Sequence, residues 1–567
     1  MAKSNWWKEM VVYQIWPRSF CDGDGDGIGD LKGVLSKLEY IKDLGATAIW
    51  FSPLYVSPQA DYGYDIADYR NINPEYGTLD DFKAVLDRAH ELGLKVIMDL
   101  VVNHTSNQHK WFLESRKGGD DNPYKDYYIW RKGKGKDGKK FPNNWTSTFP
   151  GDGWEYDEVR GEYYLHLFAK EQPDLNMDNP KVREEVKEII KYWLDIGVDG
   201  FREDVITFIS KREGLPNGFF LMPAARGMEH YANGPRIHEF LNEFKQVWDS
   251  DKYDAMTVGE APMMNPKLAL KYVSYDKQEL NQMFSFQHME ADCFIYSWVR
   301  TKFNLKKLKK IYNNWQTTLY GKGWNTLYIE NHDQPRVISR YGSEKFRVES
   351  GKLLATMYLC QSGTPYIYQG QEIGMLNCPL ENLEDYPDVN THACYNLFGK
   401  LLSLVGYKGE KLHNKLMGLA RYAARDNART CMQWDNTKNA GFTTNEKPWF
   451  VVNPNYTEIN VKDAQNDENS ILNYYKKLLT IRKENPIFLY GDFKLLYKNH
   501  KELFVYERSY EGQKMLVALN FSETDTALKV KNFDLNKAEL ILNNYEVSNK
   551  NELSFLRPYE ARVYLIK

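Results

Sequence analysis

Short apolar, β-branched runs return eight times along this chain, and between several of them apolar residues recur at helical spacing. The runs are 10–16, 46–53, 95–103, 198–204, 256–260, 282–286, 326–331 and 365–369. Helical periodicity marks 31–44, 79–92, 182–196 and 347–360, each with Gly, Pro or Asp near an end. A strand covered on both faces reads as a continuous apolar run, and parallel neighbours need a helix to carry the chain back. Eight such units predict an α/β fold, a (β/α)8 TIM barrel.

Two stretches depart from this rhythm. The gap after the third strand, 105–175, is too long for a connection and is rich in Trp, Gly, Lys and Asn, so it reads as an inserted subdomain over the barrel mouth. Beyond the helical stretch 471–482 and Asn485-Pro486, the chain turns to short alternating runs, LFVYERS, KMLVALNF, AELILNN and ARVYLIK. These predict a C-terminal β-sandwich over 485–567, leaving 1–104 and 176–484 for the barrel. No internal repeat is visible.

Composition excludes several classes of function. With 74 Lys+Arg against 77 Asp+Glu the net charge is −3, so no global positive field draws nucleic acid or an anionic membrane surface. The basic run 131–140 lacks interleaved aromatics and reads as a solvated loop. No G-x-S-x-G, H-E-x-x-H or Walker A motif occurs. The six cysteines have no paired spacing, which points to reduced thiols. The start, MAKSNWWKEMVVYQIW, has no signal core, and the longest apolar stretches fall short of the roughly 20 residues of a membrane span. The expectation is a soluble cytoplasmic protein, a monomer or weak homo-oligomer, with a small-molecule substrate. Aromatic residues at 14% would suit stacking on sugar faces.

In such a barrel the chemistry sits at the C-terminal strand ends. Strand three runs into DLVVNH with Asp99 and His104, strand four into GFRED with Arg202 and Asp204, strand five into VGEA with Glu260, and strand seven into NHD with His332 and Asp333. Carboxylates converging on one mouth repel, so one is held protonated while a neighbour beside a cation stays ionised. That division of roles is what a retaining glycosidase uses, with a nucleophile and an acid/base about 5–5.5 Å apart. Arg202 lies two residues before Asp204, on the same strand face, placed to keep that carboxylate ionised.

DLVVNH (99–104), GFREDV (200–205), VGEA (258–261) and ENHDQPR (330–336), with GATAIWFSP, QPDLN and GTPYIYQGQEIGM, closely resemble the signature regions of the α-amylase superfamily, glycoside hydrolase family 13. QPDLN, DYGYDI (61–66) and RDNART (425–430) further resemble its oligo-1,6-glucosidase and α-glucosidase branch. The resemblance implies Asp204 as nucleophile, Glu260 as general acid/base and Asp333 as transition-state stabiliser. It implies sugar contacts from Asp61, Tyr64, His104, Phe168, Gln172, Arg202, Val205, His332 and Arg429, with Asp61 and Arg429 forking the glucose hydroxyls in a closed pocket and so dictating exo action. In relatives, Val just after the nucleophile accompanies α-1,6 activity, which Val205 matches, so isomaltose-type substrates lead. Trehalose-6-phosphate hydrolysis, sucrose cleavage and sucrose isomerisation are the alternatives, the last disfavoured because VISRYGSE follows HDQPR. A catalytically silent, transporter-associated homologue is the non-enzymatic alternative, against which the three carboxylates stand.

Two further features complete the reading. Asp22, Asp24, Asp26 and Asp30 alternate with glycines like the start of a calcium loop, but position twelve is Gly33 rather than the bidentate Glu. By resemblance these four aspartates and the Ile28 carbonyl hold a structural Ca2+, with Mg2+ the alternative. Glu203 stands where the family carries an apolar residue and Cys431 where it carries Pro; Glu203 is expected to pair with a basic neighbour behind the barrel.

Overall fold

Each of the eight apolar runs becomes a strand of one parallel sheet. The strands are Val12–Ile15, Ala48–Phe51, Lys95–Leu100, Gly200–Glu203, Met256–Ala261, Gln282–Ser285, Thr326–Leu327 and Thr364–Tyr368. The computed structural model describes residues 5–567 apart from positions 223, 251, 295, 532, 548 and 550–552. In space the strands run six, five, four, three, two, one, eight, seven. Side chains help to close the ring: Thr326 Oγ1 donates to the Met283 carbonyl at 3.1 Å, and the Tyr328 hydroxyl to that of Ser285 at 2.8 Å.

Helices return the chain, and their ends follow local chemistry. Leu31–Leu44 starts at Asp30, whose carboxylate accepts from the Gly33 amide, and stops at Gly45, whose φ of 103° suits only glycine well. Leu79–Glu91 opens on a reciprocal cap between Thr78 and Asp81. Pro180–Ile196 has Pro at its first position and again ends on a left-handed glycine, Gly197.

Within 105–175 a three-stranded antiparallel sheet forms from Trp130–Arg131, Glu162–Leu165 and Trp154–Asp157. Its own small core of Ile129, Trp145, Trp154, Leu165 and Leu167 continues into Val205, Phe208 and Tyr231 of the barrel's fourth loop. The segment is thus seated by apolar packing directly beside the end of strand four.

At the C-terminus, Lys494–Leu496, Leu503–Tyr510, Gln513–Asn520, Ala561–Ile566 and Glu539–Asn543 form a five-stranded antiparallel sheet in that spatial order. A second, two-stranded sheet of Thr526–Ala527 and Phe555–Leu556 contributes Leu528 and Leu556 to an apolar core shared with Val505, Leu516 and Tyr564. Lys309, fully buried on the helix Leu305–Leu319, donates to the carbonyls of Tyr497, His500 and Leu503 at 2.7, 2.8 and 2.8 Å and ties this sheet to the barrel. Among the described residues no helix is long and apolar enough to cross a membrane.

A helical hairpin that the sequence periodicity did not single out, Val389–Leu404 and Gly409–Ala423, follows strand eight. The carboxylate of Asp388 caps its first helix at the Asn390 amide, 3.0 Å away.

Candidate active site

Register explains how four strand ends meet. Asp99 pairs directly with Arg202 across strands three and four, and Arg202 with Val258 across strands four and five. Side chains on one face of neighbouring strands therefore converge at the mouth. Arg202 is 1% exposed, and its guanidinium joins three carboxylates: Nη1 lies 2.7 Å from Asp99 Oδ1 and 2.8 Å from Asp204 Oδ1, while Nη2 lies 2.6 Å from Glu260 Oε2. The guanidinium also lies over Trp50, its carbon 5.3 Å from the ring centre.

One cation does not neutralise three carboxylates. Burial pushes Asp204 well above the ordinary carboxylate range; Arg202 opposes this, while Glu260 and Asp99 add to it. Asp99 is lifted to about 6 by burial, again against Arg202. Burial thus outweighs the pull of Arg202 at Asp204, so the neighbouring arginine does not by itself set the charge of that carboxylate, as the sequence suggested.

Asp333 is the opposite case. Burial would raise its carboxyl, but His332, Arg425 and Arg429 override this and hold it well below the usual range. Its Oδ1 lies 3.0 Å from Arg425 Nη1 and 2.9 Å from Arg429 Nη2, and its Oδ2 3.1 Å from His332 Nε2. The site thus holds one aspartate, Asp333, kept well below the usual carboxylate range, and another, Asp204, pushed above it.

His332 is fixed on every side. Gln14 Nε2 lies 2.8 Å from its Nδ1, and the Tyr64 hydroxyl 2.7 Å from its Nε2. Its ring is sandwiched between Trp16 and Tyr64, both centroids 5.3 Å away. Burial lowers the pKa of His332 against the pull of Asp333, and that of His104 to about 4, so the His104 imidazole is neutral near pH 7. His104 Nε2 lies 3.1 Å from both the Tyr64 carbonyl and Gln172 Nε2.

These groups surround a cavity of about 300 Å³ lined by Asp61, Tyr64, His104, Phe168, Asp204, Val205, Glu260, Asp333 and Arg425, with Thr148, Phe149, Phe208, Met228, Pro262, Ser297 and Asn390. Arg202, Gln172, His332 and Arg429 stand behind this lining. Gln172 Nε2 reaches Asp61 Oδ2 at 3.2 Å, so it acts on the pocket through Asp61.

Asp61, read from the sequence as a sugar contact together with Arg429, is bound in the structure by Arg425, Nη2 to Oδ1 at 2.7 Å. Arg425 also holds Asp333 and forms a buried ion pair with Asp388, so one guanidinium spans three carboxylates. Arg429 lies flat on Trp16, 4.4 Å from the ring centre, and donates to the His332 carbonyl at 3.0 Å. Both arginines belong to RDNART, and the sequence signal for Arg425 was its place as the first residue of that motif. Nothing local to Asp388, Asn390 or Ser297 marks them; the helical hairpin and the loop after strand six bring them in.

Glu203 finds no basic neighbour, which corrects the expected pairing. It is fully buried, neither carboxyl oxygen has a hydrogen-bond partner, and burial pushes it well above the usual carboxylate range. The adjacent cation, Arg202, is already committed to the three carboxylates at the mouth. Cys431 is buried with its Sγ 3.3 Å from the Phe450 carbonyl and does not line the cavity.

In the acidic loop, ligand oxygens of Asp22, Asp24 and Asp30 lie within 4.8 Å of one another. Backbone amides orient them: Asp22 accepts from Gly25 at 2.6 Å and Gly27 at 2.8 Å, Asp30 from Gly23 at 2.9 Å. Three converging carboxylates suit a hard divalent cation. Asp26 lies outside the cluster, its carboxylate accepting from the Ile28 amide at 2.7 Å.

The barrel, the four convergent strand ends and the interposed segment define a glycoside hydrolase of the α-amylase family, and the chain belongs to it: the alpha amylase catalytic domain matches residues 14–491 and the maltogenic amylase C-terminal domain residues 493–563. Its similarity is to oligo-1,6-glucosidases in particular. That of Parageobacillus thermoglucosidasius is 51% identical over 99% of both chains, and that of Bacillus cereus 48% identical over 100% of both. Among solved structures, a trehalose-6-phosphate hydrolase of Bacillus licheniformis superposes with a TM-score of 0.92 at 42% identity, covering 100% of both chains.

Proposed function

We propose that this enzyme releases glucose from the non-reducing end of short α-1,6-glucosides, isomaltose above all, with retention of configuration. The observation that carries this reading is the single Arg202 guanidinium spanning Asp204 and Glu260, at the floor of a pocket closed by the Asp61–Arg425 pair. Two carboxyls so close leave no room for a water between them, which supports double displacement. Glu260 gives its proton to the glycosidic oxygen while Asp204 attacks the anomeric carbon and forms a glucosyl ester. Glu260, now a carboxylate, takes a proton from water as that water attacks the same carbon and releases Asp204. Asp333, fully ionised, binds sugar hydroxyls and favours the positive charge of the transition state.

The end wall formed by Asp61, Arg425 and Tyr64 supports exo action. The character of the lining supports a neutral substrate over trehalose-6-phosphate: Arg425 is the cation among the described lining residues, and Asp61, Asp333 and Asp388 already consume its charge. A phosphoryl group would find no donor fork there. Val205 in the lining favours the α-1,6 linkage by resemblance, and six free cysteines, all buried, favour a reducing, cytoplasmic setting. The loop of Asp22, Asp24 and Asp30, with Asp26 and the Ile28 carbonyl beside it, would hold a structural Ca2+, or Mg2+ in its place, and bind the first βα loop together.

Glucose release from isomaltose, maltose, sucrose, trehalose and trehalose-6-phosphate, measured side by side, tests the substrate. Isomaltose should lead, and a faster rate on the phosphorylated sugar would overturn the assignment. Asp204→Ala should lower kcat roughly 10⁴-fold with the fold intact; near-normal turnover would remove it as nucleophile.

A further inference from the structure

Val205, the residue after Asp204, has φ 33° and ψ 40°, the left-handed region that a β-branched side chain adopts only under constraint. Such a conformation costs on the order of 1–3 kcal/mol and persists where its surroundings over-determine it. The surroundings are confining: Val205 is buried and belongs to the apolar cluster that includes Trp145, Trp154, Phe208 and Tyr231, at the edge of the cavity. With the side chain fixed there, φ sets where the amide points relative to it. The Val205 N–H points at the acid/base, donating to Glu260 Oε2 at 3.1 Å. The same oxygen receives Arg202 Nη2 at 2.6 Å. Two donors on Oε2 disfavour a proton on it.

We propose that Val205 is a positioning residue for the acid/base: its strained amide and Arg202 together occupy Glu260 Oε2 and leave Oε1 to carry the proton to the glycosidic oxygen. The inference rests on Glu260 being the acid/base. In the step so described the Oε1–H bond breaks and the glycosidic oxygen gains that proton. The anomeric carbon–oxygen bond breaks toward the leaving alcohol, and an Asp204 oxygen bonds to the anomeric carbon. The negative charge appearing on Glu260 is met by the two donors already on Oε2, so proton release needs no rearrangement of the site. The inserted segment, whose aromatic residues hold the Val205 side chain, thereby reaches the chemistry through one peptide group.

The test exchanges the amide at 205 for an ester in the full-length chain, using the α-hydroxy analogue of valine. This removes the N–H and keeps the side chain. Hydrolysis of a series of aryl α-glucosides, from phenyl to 2,4-dinitrophenyl, then reads acid assistance, because the dinitrophenolate departs without a proton. The ester variant should lose about tenfold more rate on the phenyl glucoside than on the dinitrophenyl glucoside, the worth of one hydrogen bond to a charged group. Val205→Asn keeps the N–H in a residue that tolerates positive φ, and should follow the parent's dependence on the leaving group even where its absolute rates differ. An ester variant with the parent's dependence would overturn the proposal. So would a steeper dependence in Val205→Asn, whether or not the ester variant folds. Glu260→Gln in the same series should be steepest of all; if it is not, the acid/base assignment itself fails, separately from the role of Val205.

Discussion

Replacing Glu203 by methionine should stabilise this protein, and by more at neutral than at acid pH. Glu203 is fully buried with both carboxyl oxygens unpartnered, and burial holds its pKa well above the ordinary 4.5. Even protonated, two unsatisfied buried oxygens cost about 1–3 kcal/mol. A second cost depends on pH. Above pH 4.5 the unfolded carboxyl loses its proton while the folded one keeps it, so folding takes up a proton and parent stability falls as pH rises. The slope is about 1.4 kcal/mol per pH unit wherever the unfolded carboxyl is ionised and the folded one is not. Methionine, similar in length and apolar, has neither cost. Urea unfolding followed by tryptophan fluorescence at pH 4.5, 6 and 7 measures both: the variant should be ahead by roughly 2 kcal/mol at pH 4.5 and by more at pH 6 and again at pH 7. A variant no more stable than the parent, or a gain that does not grow with pH, would refute the reasoning and mean that Glu203 has a compensating partner.

Asp61, lifted to about 6 by burial against the pull of Arg425, should protonate below that pH and loosen its hold on sugar hydroxyls; KM for isomaltose should rise on the acid side of pH 6, and Asp61→Asn should show a high KM without that limb. Lys309→Met leaves the buried Leu503 carbonyl and the half-buried carbonyls of Tyr497 and His500 without their donor and should cost about 1–3 kcal/mol, seen as a lower Tm and faster proteolytic release of the C-terminal sheet. Chelation should lower Tm, since a cation held at 100 times its Kd contributes about 2.7 kcal/mol, and Asp22→Asn should abolish the difference between chelated and calcium-supplemented protein.

The barrel was legible because a parallel strand covered on both faces must be apolar throughout, and each crossover helix must show the 3.6-residue period. All eight strands fall inside the runs read from sequence or within one residue of them. That Asp204, Glu260 and Asp333 share one mouth was legible for a related reason: several acidic residues at or just beyond the C-terminal ends of barrel strands are brought together by strand order, and the structure places all three in one cavity lining.

What the sequence by itself determined, then, was the architecture and the residue types at the strand ends, because both follow from local periodicity. Only the tertiary structure decided how the charges pair. Arg425 reaches Asp61, some 360 residues away in the chain, because a helical hairpin capped by Asp388 holds that guanidinium over the pocket. Glu203 was left without an ion-pair partner among the described residues because the cation next to it faces Asp204 of its own strand and Asp99 and Glu260 of the two neighbouring strands. Pairing of this kind depends on distances of a few ångströms between segments remote in sequence, and charge interactions fall off with distance in space, not along the chain.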